Sequence, residues 1–305
     1  MADRLTIRCA AESRGREEPL HGTASRVRRW LVLEQPGPWG REALVESRLD
    51  PIVAQGLRSI GRRAGIRVLL ARLPRRQTAA PATRRAYLAR SGADGGWLEE
   101  LDLDDPRELL DLDLEAALAS AAAPGAGRPG PAVVHLVCTN GRHDPCCADF
   151  GRPVVRALAD AGVADVWESS HVGGDRFAAN VVCLPHGVYF GRVDPDGAAA
   201  LLRDLAAGLL DLDRYRGRSW LPPLAQSAEV FARRRLDERR LDALRLVSSE
   251  AVAGGELAVR FDHVDHGHVD VVVARQRADE VPLTCHGQPG RPWAYVLRSL
   301  EVRGD

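Results

Sequence analysis

Apolar and polar positions fall into blocks along this chain, and one order of blocks occurs twice. RRWLVLEQ (28–35) is apolar and β-branched and runs into the turn-rich PGPWG, which predicts a strand. DPIVAQGLRSIGRRAG (50–65) carries Ile52, Leu57 and Ile60 at near-helical spacing behind an Asp50-Pro51 start, which predicts a helix. Three strand-like runs follow: IRVLLARLP (66–74), RRAYLAR (84–90) and GWLEELDL (96–103). A helix over DDPRELLDLDLEAALAS (104–120), again opened by Asp-Pro, closes the series. After a Pro- and Gly-rich break at 123–131 the order recurs. PAVVHLVC (131–138) reads as a strand and DPCCADFGRPVVRALADAG (144–162) as a helix. DVWESS (165–170), FAANVVCLP (177–185) and GVYFGRV (187–193) read as strands, and DPDGAAALLRDLAAGLLDL (194–212) as a helix.

Both halves therefore read βαβββα, the order of a thioredoxin-like unit, and a duplication accounts for the repetition. From 219 the pattern changes. LAQSAEVFARRRLDERRLDALRLV (224–247) predicts one long Arg-laden helix. LAVRFDHVDHGHVDVVVARQ (257–276) predicts a hairpin turning near His266-Gly267, and PWAYVLRSLEV (292–302) a last strand or helix. The expected fold class is α/β: two tandem thioredoxin-like units plus a C-terminal α/β extension. The expected domains are 1–125 without a metal loop, 131–215 with a cysteine loop, and an appended helix and β-hairpin segment over 219–305.

Charge narrows the function classes. Lys plus Arg and Asp plus Glu each total 42, and every basic residue is Arg. A net charge of zero argues against a nucleic-acid binder, whose phosphate contacts need a basic excess. MADRLTIRCAAESRGREEPLHG lacks the apolar run of a signal peptide, and no stretch approaches the roughly 18 apolar residues of a membrane span. The expectation is a cytoplasmic protein, where six cysteines are free, metal-bound or redox-active rather than paired in structural disulfides.

Three of those cysteines, Cys138, Cys146 and Cys147, crowd into VCTNGRHDPCC. The strand before them delivers Cys138 to its carboxyl end, where open α/β sheets place ligands. Asp144-Pro145 then starts a helix with Cys146 and Cys147 in its first turn, whose positive end favours thiolate, the form that binds metal or attacks disulfides. Downstream, WESSHVGGDRF brackets a Gly173-Gly174 pair with His171 and Asp175, and the glycines let backbone wrap a bulky group. Two thiolates, an imidazole and a carboxylate make a four-ligand set.

At these residues the chain resembles the sucrase/ferredoxin-like family, relatives of thioredoxin-like 2Fe-2S ferredoxins. The family pattern is Cys-x8-Cys followed by His-x-Gly-Gly-His; here Cys138, Cys147 and His171 match, whereas the fourth position is Asp175. The resemblance runs from WLVLEQPGPWG through SWLPPLAQSAE (219–229) and implies a 2Fe-2S electron-transfer role with redox protein partners. Asn140, Arg142 and His143 are the expected tuning groups around the thiolates. Residues next to each other on a helix point about 100° apart, so only one of Cys146 and Cys147 faces the ligand set. The spacing and the core-facing Phe150, Val154 and Leu158 choose Cys147 and leave Cys146 as a partly exposed neighbour or substitute ligand. The equivalent loop of the first half, PGPWG, has no thiol or imidazole.

Other readings stay open. A thiol–disulfide or peroxide-handling enzyme would attack with Cys146 or Cys147 and resolve with Cys138. A structural zinc site would use the same four ligands, and a degenerate scaffold would bind nothing. An electron carrier is preferred to an enzyme, and no pair of carboxylates suggests glycoside hydrolysis. Cys183 reads as core, and Cys9 and Cys285 receive no role. His263, His266 and His268 read as polar hairpin-tip residues, and the Arg-rich helix as a salt-bridged surface.

Overall fold

Three helices begin on Asp-Pro pairs, and in each the aspartate accepts a hydrogen bond from a backbone N–H of the first turn. Asp50 accepts from Ile52 N, Asp144 from Cys146 N and Asp194 from Gly197 N. These caps open α3, α6 and α7 in a computed structural model that describes residues 8–74 and 83–304. The first seven residues of the stretch read for a signal peptide lie outside the described residues.

The first part of the chain forms α1 (Cys9–Gly15), β1 (Arg29–Glu34), α2 (Ala43–Glu46), α3 (Pro51–Ala64), β2 (Ile66–Arg72), β3 (Arg84–Arg90) and β4 (Trp97–Leu103). Two short helices, α4 (Glu108–Asp111) and α5 (Leu114–Ala119), precede a two-residue strand, β5 (Arg128–Pro129). The middle part forms β6 (Val134–Cys138), α6 (Pro145–Asp160), β7 (Val166–Ser169), β8 (Val181–Leu184), β9 (Val188–Phe190) and α7 (Pro195–Ala206). The last part forms β10 (Tyr215–Arg218), α8 (Pro223–Leu236), β11 (Leu244–Val252), β12 (Glu256–His263), β13 (Gly267–Arg277) and β14 (Trp293–Arg303). Among the described residues, no helix is long and apolar enough to cross a membrane.

The architecture is mixed α/β. One sheet has ten strands in the order β10-β9-β8-β6-β7-β2-β1-β3-β4-β5, and a second has four in the order β11-β12-β13-β14. Within the large sheet, β1 pairs in parallel with β2 and antiparallel with β3, and β6 does the same with β7 and β8. Each parallel pair is bridged by a helix, α3 or α6, as parallel crossovers require. The two sets meet where β2 runs antiparallel to β7, through Ala71↔Ser169 and Arg72↔Glu168. That seam carries Cys138 and the His171 loop to the middle of the sheet rather than to an edge.

The strands of both halves read as apolar runs because helices or loops cover both faces. Leu31, Leu33, Val53 and Leu57 bury one face of the first half against α3. Val154, Val155 and Leu158 of α6 pack with Leu201, Leu202 and Leu205 of α7 on the second. Across the seam, Trp30, Tyr87, Trp167 and Tyr189 fill the opposite face. The apolar face of α8, through Ala225, Ala228 and Ala232, lies on Val259, Phe261, Val269 and Val271 of the small sheet.

Two expected helices differ. The one expected over 224–247 ends at Leu236, Asp237 takes a left-handed φ of 51°, and the chain returns as β11. Arg233 enforces the stop: it is buried, pairs with Glu229, and donates to the carbonyls of Arg240 and Leu241 beyond the turn. Glu229 in turn accepts from Arg218 and from the Tyr215 hydroxyl. The Arg-rich helix is therefore salt-bridged in part in the core, not only on a surface. The helix expected over 104–120 breaks at Leu112, because the Asp113 side chain accepts from Ala116 N and caps a new turn. The segment over 292–302 is a strand.

Burial also sets an acid limit on stability. His21, beneath α8, and His135, near the start of β6, are both held down to about 4 from an ordinary 6.5, chiefly by burial. The positive charge of Arg234 adds to the effect at His21, and His186 adds at His135. The unfolded chain therefore binds protons before the fold does. Stability that is complete above about pH 6.5 should fall as pH drops toward about 4. Urea unfolding at pH 7 and pH 4.5 checks this, and an unchanged midpoint would contradict it.

Candidate metal centre

The end of β6, the first turn of α6 and the loop after β7 converge on one point. Gly151 brings α6 there: a Cβ on Gly151 would stand 2.1 Å from the carbonyl oxygen of Cys138. With that space open, the helix start closes on the strand end, and Cys138 and Cys147 are both buried. Gly174, at φ 84°, turns the second loop back so that His171 and Asp175 face the same point; a Cβ there would strike Arg216.

The ligand atoms of Cys138, Cys147 and His171 all lie within 4.8 Å of one another. The Cys147 thiol donates to Asp175 Oδ1 at 3.1 Å, and His171 Nδ1 stands 2.9 Å from the same oxygen. His171 Nδ1 thus has the Asp175 carboxylate as its partner. His143 stacks on His171 with ring centroids 3.7 Å apart, and its Nε2 approaches Asp175 Oδ2 at 3.8 Å.

The charges are shared tightly. The neighbouring Cys147 thiol and His171 hold Cys138 well below the ordinary thiol range, against the opposing effect of burial. Cys147 is pushed up by its bond to Cys138, by burial and by the Asp175 charge. Burial alone would lower His171, but Asp175 and Cys138 raise it to about 9. Asp175 is lowered despite burial, by His171, Cys147 and His143.

A buried cation underlies this group. Arg216 donates to the Gly173 carbonyl at 3.0 Å and to Asn180 Oδ1 at 2.7 Å, and its Nε to Thr23 Oγ1 at 3.0 Å. Burial lowers it to about 10, so it remains charged near neutral pH. It balances the acidic cluster and shapes the loop, and nothing in RYRGRSW marked it out in advance.

All four predicted ligands come together. Of the expected tuning groups, only His143 reaches them. Asn140 instead braces the loop, donating to the Gly40 carbonyl and accepting from His143 N. Arg142 lines a cleft of about 890 Å³ between this loop and the 36–39 turn. Cys146 is not partly exposed: it points away from Cys147, fully buried against Cys9. Cys183 is core, as expected. His263 is buried and tied to Glu238 Oε2 at 3.0 Å, and His268 pairs with Asp262.

Replacing Arg216 by Met should remove the donors that close the loop and strand their buried acceptors. A loss of about 3 kcal/mol in urea unfolding is expected, and a loss below about 1 kcal/mol would show that the loop does not depend on Arg216.

The sucrase/ferredoxin-like family profile matches residues 20–217, which spans the large sheet and both loops of the site. No curated protein and no solved structure matches the chain significantly.

Proposed function

The chain belongs to the sucrase/ferredoxin-like family, and from that premise we propose that it is an electron carrier whose site takes a 2Fe-2S cluster. The observation that carries the reading is the convergence of two buried thiol sulfurs, a histidine nitrogen and a carboxylate. Soft thiolates with imidazole are the donor set such clusters use. Cys138, Cys147 and His171 would hold the group, and Asp175 would take the fourth position. When bound, the cluster would supply a one-electron couple.

The residues present suit that role. Cys138 and Cys147 would bind as thiolates and His171 through a deprotonated ring nitrogen. Arg216 offsets the negative charge collected on three ligands. The edge of His171 is about one-fifth exposed and lies against His143, so the site sits just beneath the surface. A redox partner protein would dock over those two rings. We read the two halves as tandem thioredoxin-like units, the first a scaffold whose PGPWG turn packs on the cysteine loop, and place the carrier in the cytoplasm.

A second reading, a single tetrahedral ion such as zinc, is favoured by the compactness of the Cys138, Cys147 and His171 ligand atoms, which lie within 4.8 Å of one another. Thiol exchange is less well supported, since Cys138, Cys146 and Cys147 are all buried from an incoming disulfide.

Composition separates the readings. Protein purified without oxygen should contain about two iron and two acid-labile sulfide per chain. His171→Ala and Cys147→Ser should lose the visible absorption, and Cys146→Ser should keep it. Absence of sulfide with one zinc at this site would establish the single-ion reading instead.

The carboxylate has its own consequence. Asp175 adds a negative charge where a histidine would be neutral, which disfavours adding an electron. Asp175→His should retain the cluster and raise its potential in a redox titration. A potential that stays or falls would remove Asp175 from the ligand set.

A further inference from the structure

A second cluster of ligating side chains lies on the other side of the α6 start. Its sulfurs come from three distant points of the chain: Cys9 at the start of α1, Cys146 in the first turn of α6, and Cys285 in the connection between β13 and β14. The Sγ atoms are 3.8 Å apart for Cys9 and Cys146, 3.6 Å for Cys9 and Cys285, and 3.3 Å for Cys146 and Cys285. Asp144 completes the group, with its oxygens 3.8 and 3.9 Å from Cys9 Sγ. A tetrahedral zinc with Zn–S bonds of ~2.3 Å sets its sulfurs ~3.8 Å apart, so the thiols stand close to the required spacing.

From this geometry we infer that Cys9, Cys146, Cys285 and Asp144 form a second metal site, a tetrahedral S3O centre for zinc that clamps the two ends of the described chain onto α6.

The surroundings favour an ion rather than a chance gathering of thiols. Asp144 is fully buried, and among the described residues no Arg or His forms an ion pair with it. Its carboxylate accepts from the backbone N–H groups of Cys146, at 2.9 Å, and Cys285, at 2.6 Å, and from the Cys9 thiol. Buried carboxylates are normally paired with a cation or bound to a metal. Two further N–H groups face the sulfurs, Ala10 toward Cys146 and Cys9 toward Cys285. These are the donors that orient and stabilise metal-bound thiolates. Three sulfurs and one oxygen in tetrahedral array suit zinc better than magnesium or calcium, which prefer all-oxygen shells. Binding would release the thiol protons as each sulfur becomes a thiolate, and no redox change is involved.

The two sites are separable. Cys146 and Cys147 are neighbours that point in opposite directions, so each belongs to one cluster only. The zinc site uses no ligand of the electron-transfer site and does not rest on that reading.

Zinc, iron and sulfide measured on the full-length chain, grown with added zinc, test the inference. Wild type should carry one zinc more per chain than Cys9→Ser and Cys285→Ser, whatever the other site holds. His171→Ala should keep that zinc. Cobalt substituted for zinc in wild type should give intense thiolate-to-metal and tetrahedral ligand-field absorption, diminished in Cys285→Ser, and this readout needs no unstable variant. Equal zinc in wild type and both serine variants would overturn the site. So would a wild-type mass two daltons low from a Cys146–Cys285 disulfide.

Discussion

The carboxylate of Asp144 organises the centre of this molecule. It accepts from Cys146 N and so starts α6, and it accepts from Cys285 N and so anchors the connection between the last two strands. A helix start fixed in this way sends consecutive side chains about 100° apart, and Cys146 and Cys147 diverge to opposite sides of it. One meets Cys138 and the His171 loop; the other meets Cys9 and Cys285. Both clusters inherit their positions from a single cap.

A cap alone would not bring the thiols close to the sheet. Gly151 removes the one Cβ that would collide with the Cys138 carbonyl, so α6 approaches β6 more closely than any other residue there would allow. The opposite wall depends on buried charge. Arg216 spends its hydrogen bonds on the Gly173 carbonyl and on the Asn180 and Thr23 side chains, all beneath the second loop. Arg233, Arg218, Glu229 and Tyr215 form a comparable network under α8. Such networks are costly to assemble and costlier to break, since each missing partner leaves a buried polar group unsatisfied.

The pairing of the large sheet explains why one half carries the cluster of Cys138, Cys147, His171 and Asp175 and the other supports it. In both halves a parallel pair is crossed by a helix, but the strand-to-helix turn of the first is PGPWG. There Trp39 lies under the Arg72 guanidinium, 4.3 Å from ring to charge, and Arg72 pairs with Glu168 of β7. The turn that has no metal donors thereby braces the strand leading into the His171 loop.

Local patterns in the sequence were enough for most strands, for three of the four expected Asp-Pro helix starts and for the four residues that gather at Cys138. Each depends on neighbours in the chain: a period, a cap, a glycine pair, a spacing of cysteines. Where α8 stops was not legible, because Leu236 to Val247 is apolar and Arg-rich enough for a helix, and only the carbonyls that Arg233 binds across the turn end it. Arg216 was not legible either, since an arginine in a basic stretch looks solvated until Gly173, Asn180 and Thr23 surround it. Cys9 and Cys285 stand 276 positions apart, and no local rhythm relates them. Sequence determines what each segment prefers to be. The tertiary structure alone decided which distant side chains share a buried space, because that depends on helices packing at distances a single glycine permits and on charges that find partners only after the chain has closed.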